Sequence, residues 1–320
     1  MVSFLVIALL LSGLSGCKAK RLKVCATVYP VKYLLERLGG TRIDSCLLSD
    51  NSQIIRSQIS ATYKSDVKGA NAIFYVSDLE PFMFLYRNEF IQQTIDLYDI
   101  TINSRLYDFK RYTQTITDGV SSFSESEYYP DAQVFAMTDM YRYDPYVWLD
   151  PIAYSSMAKT ILDYLVKNAP LDKEFFQENF NQLQLELVAL DAEFQQLNNL
   201  KKRPKVITMT PSFGIWQKSF GIEVYPIILS KFGVMPDEAQ LKVIKEQLFF
   251  HSVRCVAYEN GLDADILKLM EDLVKERYAK QFPLYNLSFL TAEQIAEGIS
   301  YFDLMRENLE SLKLIAELYE

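Results

Sequence analysis

Histidine is almost missing from this 320-residue chain. The one present, His251, leaves no material for an imidazole metal cage and makes a Ser-His or Cys-His catalytic pair a poor expectation. His251 lies between a predicted helix and a predicted strand starting at Val253, where it reads as a surface or capping residue. G-x-S-x-G, P-loop, H-E-x-x-H and C-x-x-C patterns are absent too, so the usual marks of hydrolases, nucleotide-binding enzymes, zinc peptidases and dithiol oxidoreductases are lacking. Nothing marks the chain as an enzyme, although Glu259 and Asp144 stay open as a carboxylate pair. Lys and Arg never form a block of five and the net charge is -8, which gives no nucleic-acid surface. After residue 16 no run of 18 apolar residues occurs, so no membrane-spanning helix is expected.

What is there is globular: 49% hydrophobic and 23% charged, with 21 Tyr and 20 Phe, enough for one large or two medium domains. Residues 1–16 read as a leader. Phe4 to Leu11 is an apolar run of signal-peptide length, followed by Leu14-Ser15-Gly16-Cys17. That end resembles a bacterial lipobox, with cleavage before Cys17 and lipid on its sulfur, although no Lys or Arg precedes the apolar run. An ordinary secretory leader is the alternative. Three other cysteines, Cys25, Cys46 and Cys255, are no metal cluster. Cys25 and Cys46 fall in the first two predicted strands, as a disulfide or as two small buried hydrophobes.

Strand, helix, strand, helix, strand over Leu22 to Gln93 predicts a doubly wound parallel sheet. Its strands are Leu22 to Tyr29, Ile43 to Leu48 and Ala72 to Val76; its helices are Pro30 to Leu38, Ser60 to Gly69 and Pro81 to Gln93. Asp99 to Arg142 has little periodicity and reads as short strands with a mobile loop near Gly119 to Asp131. A helix follows over Pro151 to Lys167. Phe176, Phe180, Leu183, Leu187, Leu190, Phe194 and Leu197 then recur at spacings of 4, 3, 4, 3, 4, 3, one apolar stripe on a helix. Uninterrupted from Leu171 to Leu200, that helix would be about 43 Å long. A coiled coil is the alternative. After Pro204 the pattern restarts, with strands Lys205 to Met209, Gly221 to Pro226, Val253 to Tyr258 and Leu284 to Leu287, and helices Phe213 to Phe220, Pro236 to Phe249, Ala264 to Ala279 and Gly298 to Tyr319. The predicted fold is α/β: two doubly wound lobes, 17–170 and 204–320, joined by a long rigid helix within 171–203, with a cleft between them.

The segment Tyr143-Asp144-Pro145-Tyr146-Val147-Trp148-Leu149-Asp150-Pro151 reads as a rigid loop between two Asp-Pro turns, with turn and capping roles for both aspartates. It matches D-P-H-V-W-L-D-P with one change. With the lipobox, Val28-Tyr29-Pro30, Thr210-Pro211-Ser212-Phe213-Gly214, Val256-Ala257-Tyr258-Glu259 and Ser300 to Leu309, it makes nearly all of the mature chain resemble the zinc- and manganese-type solute-binding lipoproteins of ABC importers, a family that includes adhesin lipoproteins. That resemblance implies Zn or Mn held between lobes by three histidines and a carboxylate. Carried over, the ligand positions are Ile55, Tyr146, Thr210 and Glu259, with a late position near Leu287 or Ser288. Only Glu259 is a strong ligand; a Tyr146 phenolate would suit a strongly acidic ion such as ferric iron.

The expectation is therefore a monomeric, lipid-anchored protein on the outer face of a bacterial membrane, presenting a ligand in its cleft to an ABC permease. Tyr146 and Thr210 facing that cleft suit a polar or aromatic small ligand better than a bare cation. A display or adhesion lipoprotein is the second reading.

Overall fold

The computed structural model describes residues 21–49, 58–130, 133–277 and 279–319; Cys17 and Ile55 lie outside them. Two four-stranded sheets, every pairing parallel, form two lobes. In the first lobe, β1 (Leu22–Ala26), β2 (Ile43–Leu47), β3 (Ala72–Tyr75) and β4 (Asp96–Asp99) are ordered β2-β1-β3-β4. Helices α1 (Tyr29–Gly39), α2 (Tyr63–Asp66) and α3 (Pro81–Gln92) connect them. A hairpin of β5 (Arg111–Thr117) and β6 (Val120–Ser126) follows, then α4 (Pro151–Asn168) and α5 (Lys173–Gln195). In the second lobe, β7 (Lys205–Thr208), β8 (Glu223–Pro226), β9 (Cys255–Tyr258) and β10 (Lys280–Pro283) are ordered β10-β9-β7-β8. Around them pack α6 (Ile215–Phe220), α7 (Glu238–Phe250), α8 (Ala264–Arg277), α9 (Ala292–Glu297) and α10 (Tyr301–Glu317).

Helix α5 ties the lobes together. Phe176, Leu183, Leu187, Leu190 and Phe194 are fully buried along it, each worth roughly 2 kcal/mol over an exposed position. In its first half Asn179 donates to the Leu38 carbonyl at 3.0 Å, and near its middle Glu186 pairs with Arg37 at 2.9 Å, both partners in α1. At its end the Phe194 ring lies 4.9 Å from Phe220 in the second lobe, and Glu193 meets Arg306 at 3.0 Å. The regular helix has 23 residues and closes in a 3-10 turn, Gln196–Asn199, so it is about 35 Å long, shorter than the about 43 Å expected for an unbroken helix from Leu171 to Leu200. One continuous core runs from Val24 and Phe74 through Trp148 and Phe194 to Val206 and Val256.

Four local expectations are corrected. The Ser60 to Gly69 helix is only the four-residue α2, because that stretch has few apolar residues to bury. The last strand is Lys280–Pro283 rather than Leu284 to Leu287; Pro283 and a positive φ of 58° at Leu287 end regular structure between them. The final helix is two: Gly298, at φ 72°, stops α9, and Ser300 restarts the chain with a capping box on Asp303. The 119–131 loop contains a strand instead, because Asp118 and Gly119, both at positive φ, turn β5 into β6. Cys25 and Cys46 face each other in register on neighbouring strands and are disulfide-bonded.

Candidate functional site

The carboxyl ends of the two parallel sheets meet. Thr27 follows β1, Ser77 to Glu80 follow β3, Thr210 follows β7, Glu259 follows β9, and Asn286 and Ser288 follow β10. In open α/β sheets this edge is where ligands bind, because strand ends and loop amides converge there. Tyr29 of the first lobe donates its backbone N–H to the Ser288 carbonyl at 3.3 Å, so the lobes are in direct contact.

The Tyr143–Pro151 segment is wedged into this seam. Its centre is a 3-10 turn, Val147–Leu149, with Tyr146, Val147, Trp148 and Leu149 all buried. Three bonds fasten it to the second lobe and the last helix. Trp148 donates its indole N–H to the Asn286 carbonyl at 2.8 Å, Trp216 donates to the Leu149 carbonyl at 2.9 Å, and the Tyr301 hydroxyl donates to the Trp148 carbonyl at 2.7 Å. The Asp150 carboxylate caps α4, accepting from Ile152 and Ala153 at 2.9 and 2.8 Å. Asp144 takes no such role: its carboxyl is fully buried with neither oxygen hydrogen-bonded, and burial holds its pKa well above the usual range. The expected capping function belongs to Asp150 alone.

Of the five positions carried over by the resemblance, Tyr146, Thr210, Glu259 and Ser288 lie in this seam. Glu259 is 1% exposed. Its Oε1 accepts the backbone N–H groups of Met209 and Thr210 at 2.8 and 3.1 Å. Its Oε2 accepts the Thr210 hydroxyl and, at 3.4 Å, the Ser212 hydroxyl. Burial pushes Glu259 up to about 7, against those hydrogen bonds, which favour the charged form. Asn286 donates to the Ser212 hydroxyl at 3.2 Å and accepts the Ser288 hydroxyl at 2.7 Å. The Tyr146 hydroxyl lies beside Ser212 and Glu259 but makes no well-formed hydrogen bond. Ser212 is close enough to favour the phenolate slightly, yet burial dominates and holds the phenol protonated. Tyr146 and Thr210, expected to face an open cleft, are both 0% exposed.

These residues do not fit a transition-metal ion. Among the described residues no three His, Cys, Asp or Glu side chains gather. The one carboxylate in the cluster already takes two N–H and two O–H donors, which fill its acceptor sites. A buried neutral phenol and a hydroxyl are poor ligands for zinc or manganese. His251 sits elsewhere, at the end of α7, with its Nε2 2.9 Å from Arg111 of the hairpin. Burial, then the Arg111 charge, lowers its pKa.

Sequence reasoning missed Ser212, Asn286 and Glu80. Ser212 and Asn286 stand two residues from Thr210 and Ser288 and are within reach of the motif; Glu80 has no pattern to mark it. Glu80 is 2% exposed and accepts the Thr27 hydroxyl on Oε1. Its Oε2 makes no well-formed hydrogen bond, although the Val76 and Glu80 amides lie near enough to ease its charge. Burial nevertheless pushes it up to about 8.

Residues 24–314 match the family model described as ZnuA, zinc-uptake complex component A, periplasmic. The high-affinity zinc uptake system protein ZnuA of Bacillus subtilis is 29% identical over 174 residues, 53% of this chain and 52% of that protein. The zinc-binding protein AdcA of Streptococcus pyogenes is 22% identical over 304 residues, 93% of this chain and 56% of that protein. The chain thus spans about half the length of these curated relatives. Among solved structures, a mutant of the laminin-binding adhesin Lmb from Streptococcus agalactiae superposes with a TM-score of 0.71 at 18% identity, covering 92% of this chain and 99% of that one. The Zn(II)-bound ZnuA-like domain of Streptococcus pneumoniae AdcA gives 0.67 at 20% identity, covering 93% and 99%. At these identities the structures establish the shared two-lobed fold.

Proposed function

Because the chain belongs to the periplasmic zinc-uptake component A family, we propose that it is an extracytoplasmic solute-binding lipoprotein of an ABC importer whose family metal site has been replaced. The observation that carries this is the meeting of two parallel-sheet carboxyl edges across one seam, with Tyr146, Thr210, Glu259 and Ser288 between them. That edge is where α/β binding proteins hold their ligands, and here it is closed, with Tyr146 and Thr210 wholly buried. Its polar groups satisfy one another, Tyr146 excepted, so the ligand is a solute other than the transition metal its relatives are named for. Lobes 17–170 and 204–320, bridged by the helix within 171–203, would tilt only slightly, since α5 is packed against both. Cys17 carries the lipid that holds the body at the membrane.

Two measurements test this. The protein after Cys17 is titrated with Zn, Mn and ferric iron while its melting temperature and tryptophan fluorescence are followed. A tight binder at a hundredfold excess over its dissociation constant stabilises by about 2.7 kcal/mol; no metal is expected to do so, and a micromolar response to Zn or Mn would sink the claim of a replaced site. Membranes carrying the full chain and its permease are then assayed for ATP hydrolysis. Stimulation by the lipoprotein, lost on Cys17→Ala together with palmitate labelling, is the expected result; unchanged hydrolysis refutes the importer role.

A further inference from the structure

A pocket of about 510 Å³ opens beside the seam, between the β3–α3 connection of the first lobe and Lys231 and Phe232 of the second. That volume suits a small organic ligand. One wall is apolar and open to solvent: Phe84 is 90% exposed, Leu85 73% and Phe232 48%. Large side chains this exposed and grouped around a concavity mark a binding surface rather than ordinary scatter. The two walls are pinned together by Tyr141, whose hydroxyl lies 3.3 Å from the Leu79 carbonyl and 3.4 Å from the Lys231 carbonyl. The pocket is therefore a fixed feature of the two-lobed body.

Its polar groups choose the ligand. Glu80 lines the pocket while almost wholly buried, with Oε2 lacking a well-formed hydrogen bond. The exposed carboxylate of Asp78 lines it as well. Two cations share the lining, and both are engaged. Lys231 pairs with Asp139 at 3.1 Å, and Arg87 lies 5.9 Å over the Tyr75 ring. A buried carboxyl oxygen with only loosely placed amides nearby is poorly compensated, and a ligand that brings a direct donor recovers part of that cost. An apolar wall over two carboxyl groups matches a molecule with a hydrocarbon or aromatic body and one cationic nitrogen.

We infer that this pocket binds a small apolar amine, its ammonium group donating to Glu80 beside Asp78 and its body lying against Phe84, Leu85 and Phe232. The elevated pKa of Glu80 agrees with a carboxyl group waiting for a countercharge. The inference rests on the solute-binding reading and gives it a ligand class, placed beside the Tyr146–Glu259 cluster rather than within it.

Calorimetry on the protein after Cys17 tests it with two probes of one ring and opposite charge, tryptamine and indole-3-acetate. Tryptamine is expected to bind at least tenfold more tightly than indole-3-acetate. Glu80→Gln, which keeps the shape and removes the group that can ionise against an ammonium, is expected to weaken tryptamine about tenfold. Phe84→Ala changes a solvent-exposed side chain, so it tests the apolar wall even where Glu80→Gln fails to fold, and the same tenfold loss is expected. Equal affinity for the two probes, no tryptamine binding at millimolar concentration, or full affinity in Phe84→Ala overturns the inference. Tryptamine binding without stimulation of permease ATP hydrolysis refutes the importer reading and leaves the pocket standing. Stimulation without amine binding refutes the pocket alone.

Discussion

Replacing Glu259 by Gln isolates the electrostatic cost of the central carboxyl. Its ordinary value is near 4.5, and burial raises it in the folded protein to about 7. Between those two pH values the folded chain holds a proton that the unfolded chain has lost. The carboxyl's contribution to stability is therefore fully present below about 4.5, falls as pH rises through 7, and is constant above that. A gap of about 2.5 in pH, at about 1.4 kcal/mol for each unit, amounts to about 3 kcal/mol. The amide cannot ionise. Its oxygen still accepts from Met209 and Thr210, as Oε1 does at 2.8 and 3.1 Å, and its NH2 donates to the hydroxyls of Thr210 and Ser212, which reverse roles. Urea unfolding of both proteins from pH 4.5 to 8 is the assay. Glu80 and Asp144, raised in the same direction, tilt both curves alike, so the difference between the curves reports Glu259. The Glu259→Gln variant is expected to gain about 3 kcal/mol on the native protein between pH 4.5 and 8. Parallel curves would refute the account, because they would mean that the carboxyl is as well solvated folded as unfolded.

Reducing the Cys25–Cys46 bond, which closes a loop of sequence separation 21, should cost about 3 kcal/mol by loop entropy, read as a lower urea midpoint in dithiothreitol. Gly214→Ala would drive a methyl group into the Asp144 carboxyl and to 2.7 Å from the Tyr128 hydroxyl. It should destabilise by about 1–3 kcal/mol, and Asp144→Ala in the same chain should restore most of that midpoint. Tyr146→His combined with Thr210→His puts two imidazoles beside Glu259. Zinc at a hundredfold excess over its dissociation constant should then add about 2.7 kcal/mol to the variant and nothing to the native chain; a variant indifferent to zinc would show that these positions do not converge on one ion.

The second lobe shows why some of this was readable and some was not. Val206 and Val256 advertise buried strands through their own neighbours, since strand and helix patterns arise from bonding and burial within a few residues. The α5 stripe is legible for the same reason, as is the Asp150 cap, which bonds amides only two and three residues ahead. The Asp118-Gly119 turn was equally local, and the short polar strands around it concealed it. Asp144 was misread because its neighbour Pro145 suggests a turn, while its burial is imposed by Gly214 and Tyr128, far along the chain. Glu80 carried no pattern at all.

The sequence by itself determined two parallel α/β lobes, a long helix between them, the Asp150 cap of α4 and, through its single histidine, that no site of three imidazoles can form within the chain. Those properties follow from residue identity and from periodicities a few residues long. Only the tertiary structure decided that Glu259 has its acceptor sites filled from Met209, Thr210 and Ser212, that Cys25 and Cys46 are bonded, and that Glu80 lines an apolar pocket with one oxygen unmatched. Each of those depends on groups tens of residues apart arriving within a few ångströms, and a carboxyl's charge is set by what surrounds it there rather than by its neighbours in the chain.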